Sequence, residues 1–132
     1  MNNIIFRVNV GKRRMYLSRF SIKSLGNPTH LSFWFDEHEG CLLVTAADKD
    51  DLDAYVIQDN FWKSTKRSCE ISRIPFLLAL QYRVGWADDG IYLYDGVISE
   101  SNGKPAAIFN LTDGIQLNNA DPTQATISEN LP

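Results

Sequence analysis

Alternating apolar and polar positions near the start of the chain predict a β-hairpin. Between residues 4 and 10 (IIFRVNV), apolar side chains alternate with Arg7 and Asn9, which is typical of a strand with one buried and one polar face. Residues 11–13 (GKR) suit a turn because glycine relieves the backbone where the chain reverses. Apolar residues resume at 15–17 (MYL), so a second strand is expected there.

The next segment predicts a short helix that ends near residue 25. Ser18 can cap its start, because a serine hydroxyl accepts a hydrogen bond from an early helical N–H. Gly26 suits the left-handed conformation after the last turn, and Pro28 prevents the helix from continuing.

A second hairpin follows, and then a second series of elements. Residues 31–35 and 41–46 are predicted strands joined by an acidic loop that ends at Gly40. The acidic stretch 47–53 is the expected mid-chain connection. After it, the pattern predicts strands at 54–58 and 69–71. A helix follows, capped by Ser72, with Pro75 in its first turn and Gly85 at its end. The last predicted element is a hairpin of 91–98 and 106–111 around Asn102-Gly103.

The two series follow one plan: strand, strand, serine-capped helix, glycine, strand, turn, strand. Ser18-Arg19 and Ser72-Arg73 occupy equivalent places, 54 residues apart. We therefore predict a basic half at 1–47, a similar half at 54–114 packed on it, and a polar, frayed tail at 115–132. Each half is too small to bury a good core alone. The predicted fold class is mainly β with two short helices.

Charge is distributed unevenly along the 132 residues, whose net charge is −3. Residues 1–35 contain six basic residues and no acidic one, whereas residues 36–132 have a net charge of −9. Such a split can mark an end that faces nucleic acid. Alternatively, the cations pair with the acidic part inside one compact fold. The six are Arg7, Lys12, Arg13, Arg14, Arg19 and Lys23.

Composition and the cysteine count favour a cytoplasmic protein. No apolar run is long enough for a transmembrane helix, and the N-terminal segment lacks the apolar stretch of a signal peptide. Two cysteines, Cys41 and Cys69, are too few for a disulfide framework, so we expect reduced thiols and no membrane association.

Residues 4–46 resemble the swapped-hairpin DNA-binding domain of AbrB-type transcription regulators. The shared features are a strand, a basic turn, a strand, a short helix ending in Leu25-Gly26 and a second hairpin. Leu17-Ser18-Arg19 stands where the family usually has Ile-Pro-Lys, so the helix-start proline is missing. The resemblance implies a β-barrel closed by dimerisation or, if residues 54–111 are a second copy, by an intramolecular pseudo-dimer.

The resemblance also implies double-stranded DNA as a partner, with Arg7, Arg13, Arg14 and Arg19 as contacts. Lys12 and Lys23 belong to the same basic set, because phosphate binding needs clustered cations on one face. The leading hypothesis is therefore a small AbrB-like DNA-binding or regulatory protein. The alternative is a non-enzymatic interaction or accessory module without nucleic-acid affinity, as a pseudo-dimeric monomer or a homodimer.

No residue pattern predicts an enzyme, a cofactor or a metal site. His38 lies among carboxylates in the loop 36–40, but it has no second histidine or cysteine at metal-ligand spacing. Neither cysteine has a histidine placed to act as a base, so both are expected to be inert. Six aromatic residues are expected mainly in the core: Trp34, Phe35, Trp62, Trp86, Tyr92 and Tyr94.

Overall fold

The computed structural model describes residues 3–118, which form nine strands and three helices. The strands are β1 (Ile5–Asn9), β2 (Arg14–Ser18), β3 (His30–Asp36), β4 (Cys41–Ala46), β5 (Tyr55–Val56), β6 (Ser68–Ile71), β7 (Ile91–Ser101), β8 (Lys104–Asn110) and β9 (Ile115–Gln116). The helices are α1 (Arg19–Ser24), α2 (Asp59–Trp62) and α3 (Ile74–Val84).

The strands form a nearly closed antiparallel β-barrel. They are hydrogen-bonded in the order β5-β3-β4-β8-β7-β1-β2-β6, and β9 pairs with β7 beside this path. The long strand β7 connects the two parts of the barrel, because its first half pairs with β1 and its second half with β8. The prediction of a mainly β fold built as a barrel is confirmed.

A tyrosine closes the one gap in the ring, between β5 and β6. The Tyr55 hydroxyl donates to the backbone oxygen of Glu70 (3.1 Å) and accepts from the backbone N–H of Ser72 (3.3 Å). Beside it, the Arg73 guanidinium donates to the backbone oxygen of Asp53 (3.0 Å). Tyr55 is buried, so these bonds satisfy backbone groups that the missing strand pair leaves without partners.

The core lies inside the barrel and beneath α3. Alternation along each strand turns every second side chain inward, which buries Phe6 and Phe109 with ring centroids 5.7 Å apart. The Phe109 ring lies against Gly96, where an added Cβ would come within 2.6 Å of it. Leu77 and Leu80 of α3 are fully buried, so this helix covers one part of the core.

The predicted Ser18 cap and the glycines after α1 and α3 are confirmed, but the predicted Ser72 cap of α3 is wrong. Arg73 is the N-cap of α3 and no side chain caps this helix, because Ser72 lies one residue before the N-cap. Ser18 caps α1, since its hydroxyl accepts from the Ser21 N–H (3.3 Å). Gly26 follows α1 at φ 91°, and Gly85 ends α3 at φ 86°. None of the helices in the described part of the chain is long and apolar enough to cross a membrane.

Besides the Ser72 cap, three further features differ from the sequence predictions. The two-residue strand β9 lies at the start of the expected polar tail, and residues 119–132 of that tail lie outside the described residues. The four-residue helix α2 adds a third helix, because a single turn leaves no periodic signature. Trp34 is 67% exposed; its assignment to the core is wrong because it occupies the outward register of β3, next to inward Phe33 and Phe35.

The strand order has an approximate twofold symmetry. Exchanging β1–β4 with β5–β8 preserves every neighbour relation in the ring, if the gap that Tyr55 bridges counts as the equivalent of the β1–β2 pair. Helices α1 and α3 take equivalent places between the second and third strand of each set. That the two halves are copies of one unit remains a prediction.

The role of Tyr55 is testable by removing its hydroxyl alone. We expect Tyr55→Phe to lower the free energy of unfolding by about 1–3 kcal/mol, because the Glu70 carbonyl and the Ser72 N–H each lose a partner. Chemical denaturation measures this difference. Tyr82→Phe, at a position that is 90% exposed, is the matched control; equal stability of the two variants would contradict closure by Tyr55.

Candidate nucleic-acid interface

The barrel separates the six predicted cations into three places. Lys12 and Arg13 lie at the tip of the β1–β2 hairpin, and Arg7 and Arg14 lie on the outer face of the same two strands. The remaining two, Arg19 and Lys23, belong to α1 at the far end of β2. The basic segment therefore does not form one continuous surface, and the three places differ in their surroundings.

The hairpin tip lies next to an acidic loop. The backbone N–H of Val10 donates to the carbonyl of Gly90 (2.9 Å), and the backbone of Asp88 and Asp89 lies against Gly11. Lys12 and Arg13 are exposed, but two aspartates from the loop 88–90 accompany them. The hairpin tip therefore adjoins a loop of opposite charge.

The two arginines on the outer strand face have partners in the protein. The Arg7 guanidinium lies 5.3 Å from the centroid of the Tyr16 ring. A hydrogen bond to Tyr16 and the nearby Glu70 carboxylate, 4.0 Å away, raise the pKa of Arg14. Register explains the arrangement, because Arg7, Tyr16 and Glu70 lie in one row across β1, β2 and β6.

Arg19 organises a loop that is distant in the sequence. Its Nε donates to the Lys66 carbonyl (2.7 Å), and its Nη2 donates to the carbonyls of Phe61 (2.9 Å) and Ser64 (3.0 Å). The guanidinium also lies 4.0 Å from the centroid of the Phe61 ring. The Arg19 backbone N–H donates to the Arg67 carbonyl (2.7 Å). Arg19 is thus a positioning residue that holds the segment 61–67 against α1.

This contact creates a cationic cleft of about 520 Å³. Its basic side chains are Arg19 and Lys23 from α1 and Lys66 and Arg67 from the opposite loop. No aspartate or glutamate is among the described residues that line it. Lys23, Lys66 and Arg67 are exposed, so their charged groups can reach a ligand. We call the cleft that these four basic side chains line the cationic cleft.

The floor of the cationic cleft is partly apolar. Ile5 and Phe20 line it, and the Phe20 side chain is 48% exposed. Cations above an apolar floor suit a phosphate-bearing ligand, because the phosphates meet the ammonium and guanidinium groups while sugar or base carbons contact the floor.

Sequence reasoning overlooked half of the cationic cleft. Lys66 and Arg67 belong to a run, KSTKR at 63–67, with three cations in five residues. The six predicted cations all come from the acid-free residues 1–35, so this run is not among them. Its local charge density was a usable signal, but its proximity to α1 depends on the long-range pairing of β6 with β2.

The other chemical candidates do not form a site in the described chain. Among residues 3–118, no three His, Cys, Asp or Glu side chains come together as a metal site. The His38 side chain is 93% exposed in its acidic turn. Burial raises the pKa of both thiols, that of Cys69 to about 11, so both thiols are protonated and weakly nucleophilic near neutral pH.

Comparison with known proteins adds no relative. No protein-family model matches the chain, and searches of curated proteins and of solved structures gave no match either.

The positioning role of Arg19 can be separated from its charge. We expect Arg19→Lys to lower the free energy of unfolding by about 1–3 kcal/mol and to speed amide hydrogen exchange in residues 61–67, because an ammonium cannot reproduce the guanidinium geometry. Arg13→Lys at the exposed hairpin tip is the matched control. Unchanged exchange in the loop of Arg19→Lys would contradict this role.

Proposed function

We propose that this protein is a small, non-enzymatic, cytoplasmic DNA-binding protein of regulatory type, which contacts the phosphate backbone of a duplex through the cationic cleft. One observation carries the proposal: two segments some 45 residues apart bring four basic residues around one cleft, and no described lining residue is acidic. Phosphate contacts dominate the affinity of proteins for nucleic acid, and they require such a local excess of positive charge.

The negative net charge of the whole chain favours one orientation of a bound duplex. With a net charge of −3, the rest of the molecule repels a polyanion. A duplex is therefore attracted in the one orientation that presents its phosphates to Lys23, Lys66 and Arg67. Arg19 contributes mainly by holding the loop that carries two of these cations.

The twofold strand order supports the interpretation of the fold as an AbrB-type barrel. AbrB-like barrels combine two interleaved copies, and here β1–β4 and β5–β8 supply equivalent strands within one chain. The proposed contact set differs from the one that the resemblance implies, because Arg7 and Arg14 have partners on the barrel surface.

Duplex binding is tested by fluorescence anisotropy with a random-sequence DNA over a series of salt concentrations. We expect the triple variant Lys23→Ala, Lys66→Ala, Arg67→Ala to lower the slope of log K against log salt by about 0.9 for each lost phosphate contact, and so by about 2–3 in total. Affinity should fall for all sequences alike, since phosphate contacts do not read bases.

A charge-matched variant separates the cationic cleft from general electrostatics. The control is the triple variant Lys12→Ala, Lys49→Ala, Lys104→Ala, which removes three exposed cations outside the cationic cleft. It should retain most of the slope of log K against log salt. Equal losses in both triple variants, or a larger loss in the control, would overturn the cleft as the interface. Absence of binding by the wild-type protein at low salt would overturn DNA binding altogether.

A row of apolar side chains on the outer barrel face favours a second candidate function, self-association. Trp34, Leu43, Ile108 and Val97 are successive register partners across β3, β4, β8 and β7. Trp34 is 67% and Val97 59% exposed. Leu43 and Ile108 between them are half-buried. Apolar side chains that line up on an outer sheet face are typical of a protein contact surface, and we propose that a second copy of the chain covers this row.

Sedimentation velocity over a range of protein concentrations tests this second candidate. We expect the wild-type protein to form a dimer and Trp34→Ser to sediment as a monomer, because the substitution removes the largest exposed ring of the row. The control is Leu52→Ser, at a fully exposed position outside the row. A wild-type monomer at every concentration would contradict self-association.

A further inference from the structure

A second cavity, of about 680 Å³, lies between the end of α3, the β3–β4 turn and the segment that follows β8. It shares no lining residue with the cationic cleft. Its volume falls in the range of small-molecule sites. The aromatic side chains that line it are Phe35, Trp86, Tyr92 and Tyr94.

Three of these rings form a fixed wall. Trp86 stacks on Tyr92 with ring centroids 5.8 Å apart and an interplanar angle of 24°, and it lies 6.2 Å from Tyr94. The Trp86 indole N–H donates to the Tyr94 hydroxyl (2.6 Å), and the Ala87 backbone N–H donates to the Tyr92 hydroxyl (2.9 Å). The wall is therefore preorganised by hydrogen bonds and stacking.

Two glycines, Gly90 and Gly114, leave room for these rings. The ring of Tyr94 occupies the space where a Cβ of Gly114 would stand, and the ring of Tyr92 does the same at Gly90. Any larger residue at either position would displace the tyrosine ring from the wall.

The Tyr94 hydroxyl is buried, and within residues 3–118 it accepts a hydrogen bond but donates none. Tyr94 is 3% exposed and lines the cavity. Its oxygen accepts from the Trp86 indole N–H, and no described residue accepts its own proton. Burial raises the pKa of Tyr94, so the proton stays on the oxygen at physiological pH. A buried donor of this kind favours a ligand that brings an acceptor.

The charges around the cavity cancel. Glu37 and Arg83 are its only charged lining residues within the described chain, and they form an ion pair. A neutral ligand is therefore favoured over an anion or a cation, because the paired opposite charges give the lining no net charge.

From this geometry we infer a binding site for a small, uncharged planar molecule, whose aromatic or heteroaromatic ring packs against the Trp86–Tyr92–Tyr94 wall and whose carbonyl oxygen or ring nitrogen accepts the Tyr94 hydroxyl proton. This inference does not depend on DNA binding. It concerns different residues, and it is tested without nucleic acid.

Matched probes test both halves of the inference. Benzamide, nicotinamide and 2-pyridone each combine a planar ring with an acceptor; cyclohexanecarboxamide keeps the acceptor without aromaticity, and ethylbenzene keeps the ring without the acceptor. We expect the planar acceptor probes to shift the indole N–H resonance of Trp86 in a ¹H–¹⁵N spectrum, with Trp34→Phe and Trp62→Phe variants assigning the three indole signals. Failure of all three planar probes, or equal binding of cyclohexanecarboxamide, would overturn the site.

Two variants localise the contact. Tyr94→Phe should weaken benzamide binding about fivefold, the effect of one hydrogen bond, and should leave ethylbenzene binding unchanged. The control Tyr82→Phe, on the exposed side of α3, should change the binding of neither probe. Tyr94→Phe leaves the Trp86 N–H without an acceptor and can destabilise the fold. A second variant, Gln116→Trp, avoids this problem because Gln116 lies at an exposed position of the cavity lining. It should fill the cavity and abolish binding of all probes; unchanged benzamide affinity in either folded variant would overturn the assignment.

Discussion

The barrel depends on how its ring of strands is closed. Every neighbouring pair in the path β5-β3-β4-β8-β7-β1-β2-β6 is joined by backbone hydrogen bonds, and only the two end strands are not. A short, unpaired edge is costly when it is buried, and the Tyr55 hydroxyl reduces that cost by bonding one carbonyl and one N–H beyond the gap. Together with the bond from the Arg73 guanidinium to the Asp53 carbonyl, this contact holds β6 beside β5. It thereby fixes the start of α3, which carries Arg83 and ends before Trp86.

The same long-range arrangement explains why the basic residues act in separate groups. Strand β6 pairs with β2, so the loop that precedes it lies beside α1, where the Arg19 guanidinium binds its carbonyls. Charge is concentrated there because the loop brings Lys66 and Arg67 and no acidic residue to the lining. On the outer face of β2 the pairing has the opposite effect, because it places Glu70 near Arg14. One strand pair thus builds the cationic cleft and neutralises the neighbouring face.

Local sequence patterns predicted the features that depend on neighbouring residues alone. The alternation in β1, the Ser18 cap, and the glycines after α1 and α3 all follow from neighbouring residues, and the structure confirms them. The cationic cleft was only half predicted, because Lys66 lies far from Lys23 in the sequence and no local pattern indicates which strands pair. Trp34 shows the same limit: its register on β3 decides its exposure, and an aromatic run such as LSFWF does not indicate by itself which ring faces inward.

The two halves of the strand order are equivalent in connection but different in chemistry. In the first half, the turn between β1 and β2 is short and carries Lys12 and Arg13; in the equivalent place, residues 57–67 contain α2 and the KSTKR run. The longer connection leaves β5 and β6 without a tight hairpin, which is why a side chain has to close the ring. It also carries cations far enough to reach α1. Closure by Tyr55 and the formation of the cationic cleft are therefore two consequences of one lengthened connection between equivalent strands.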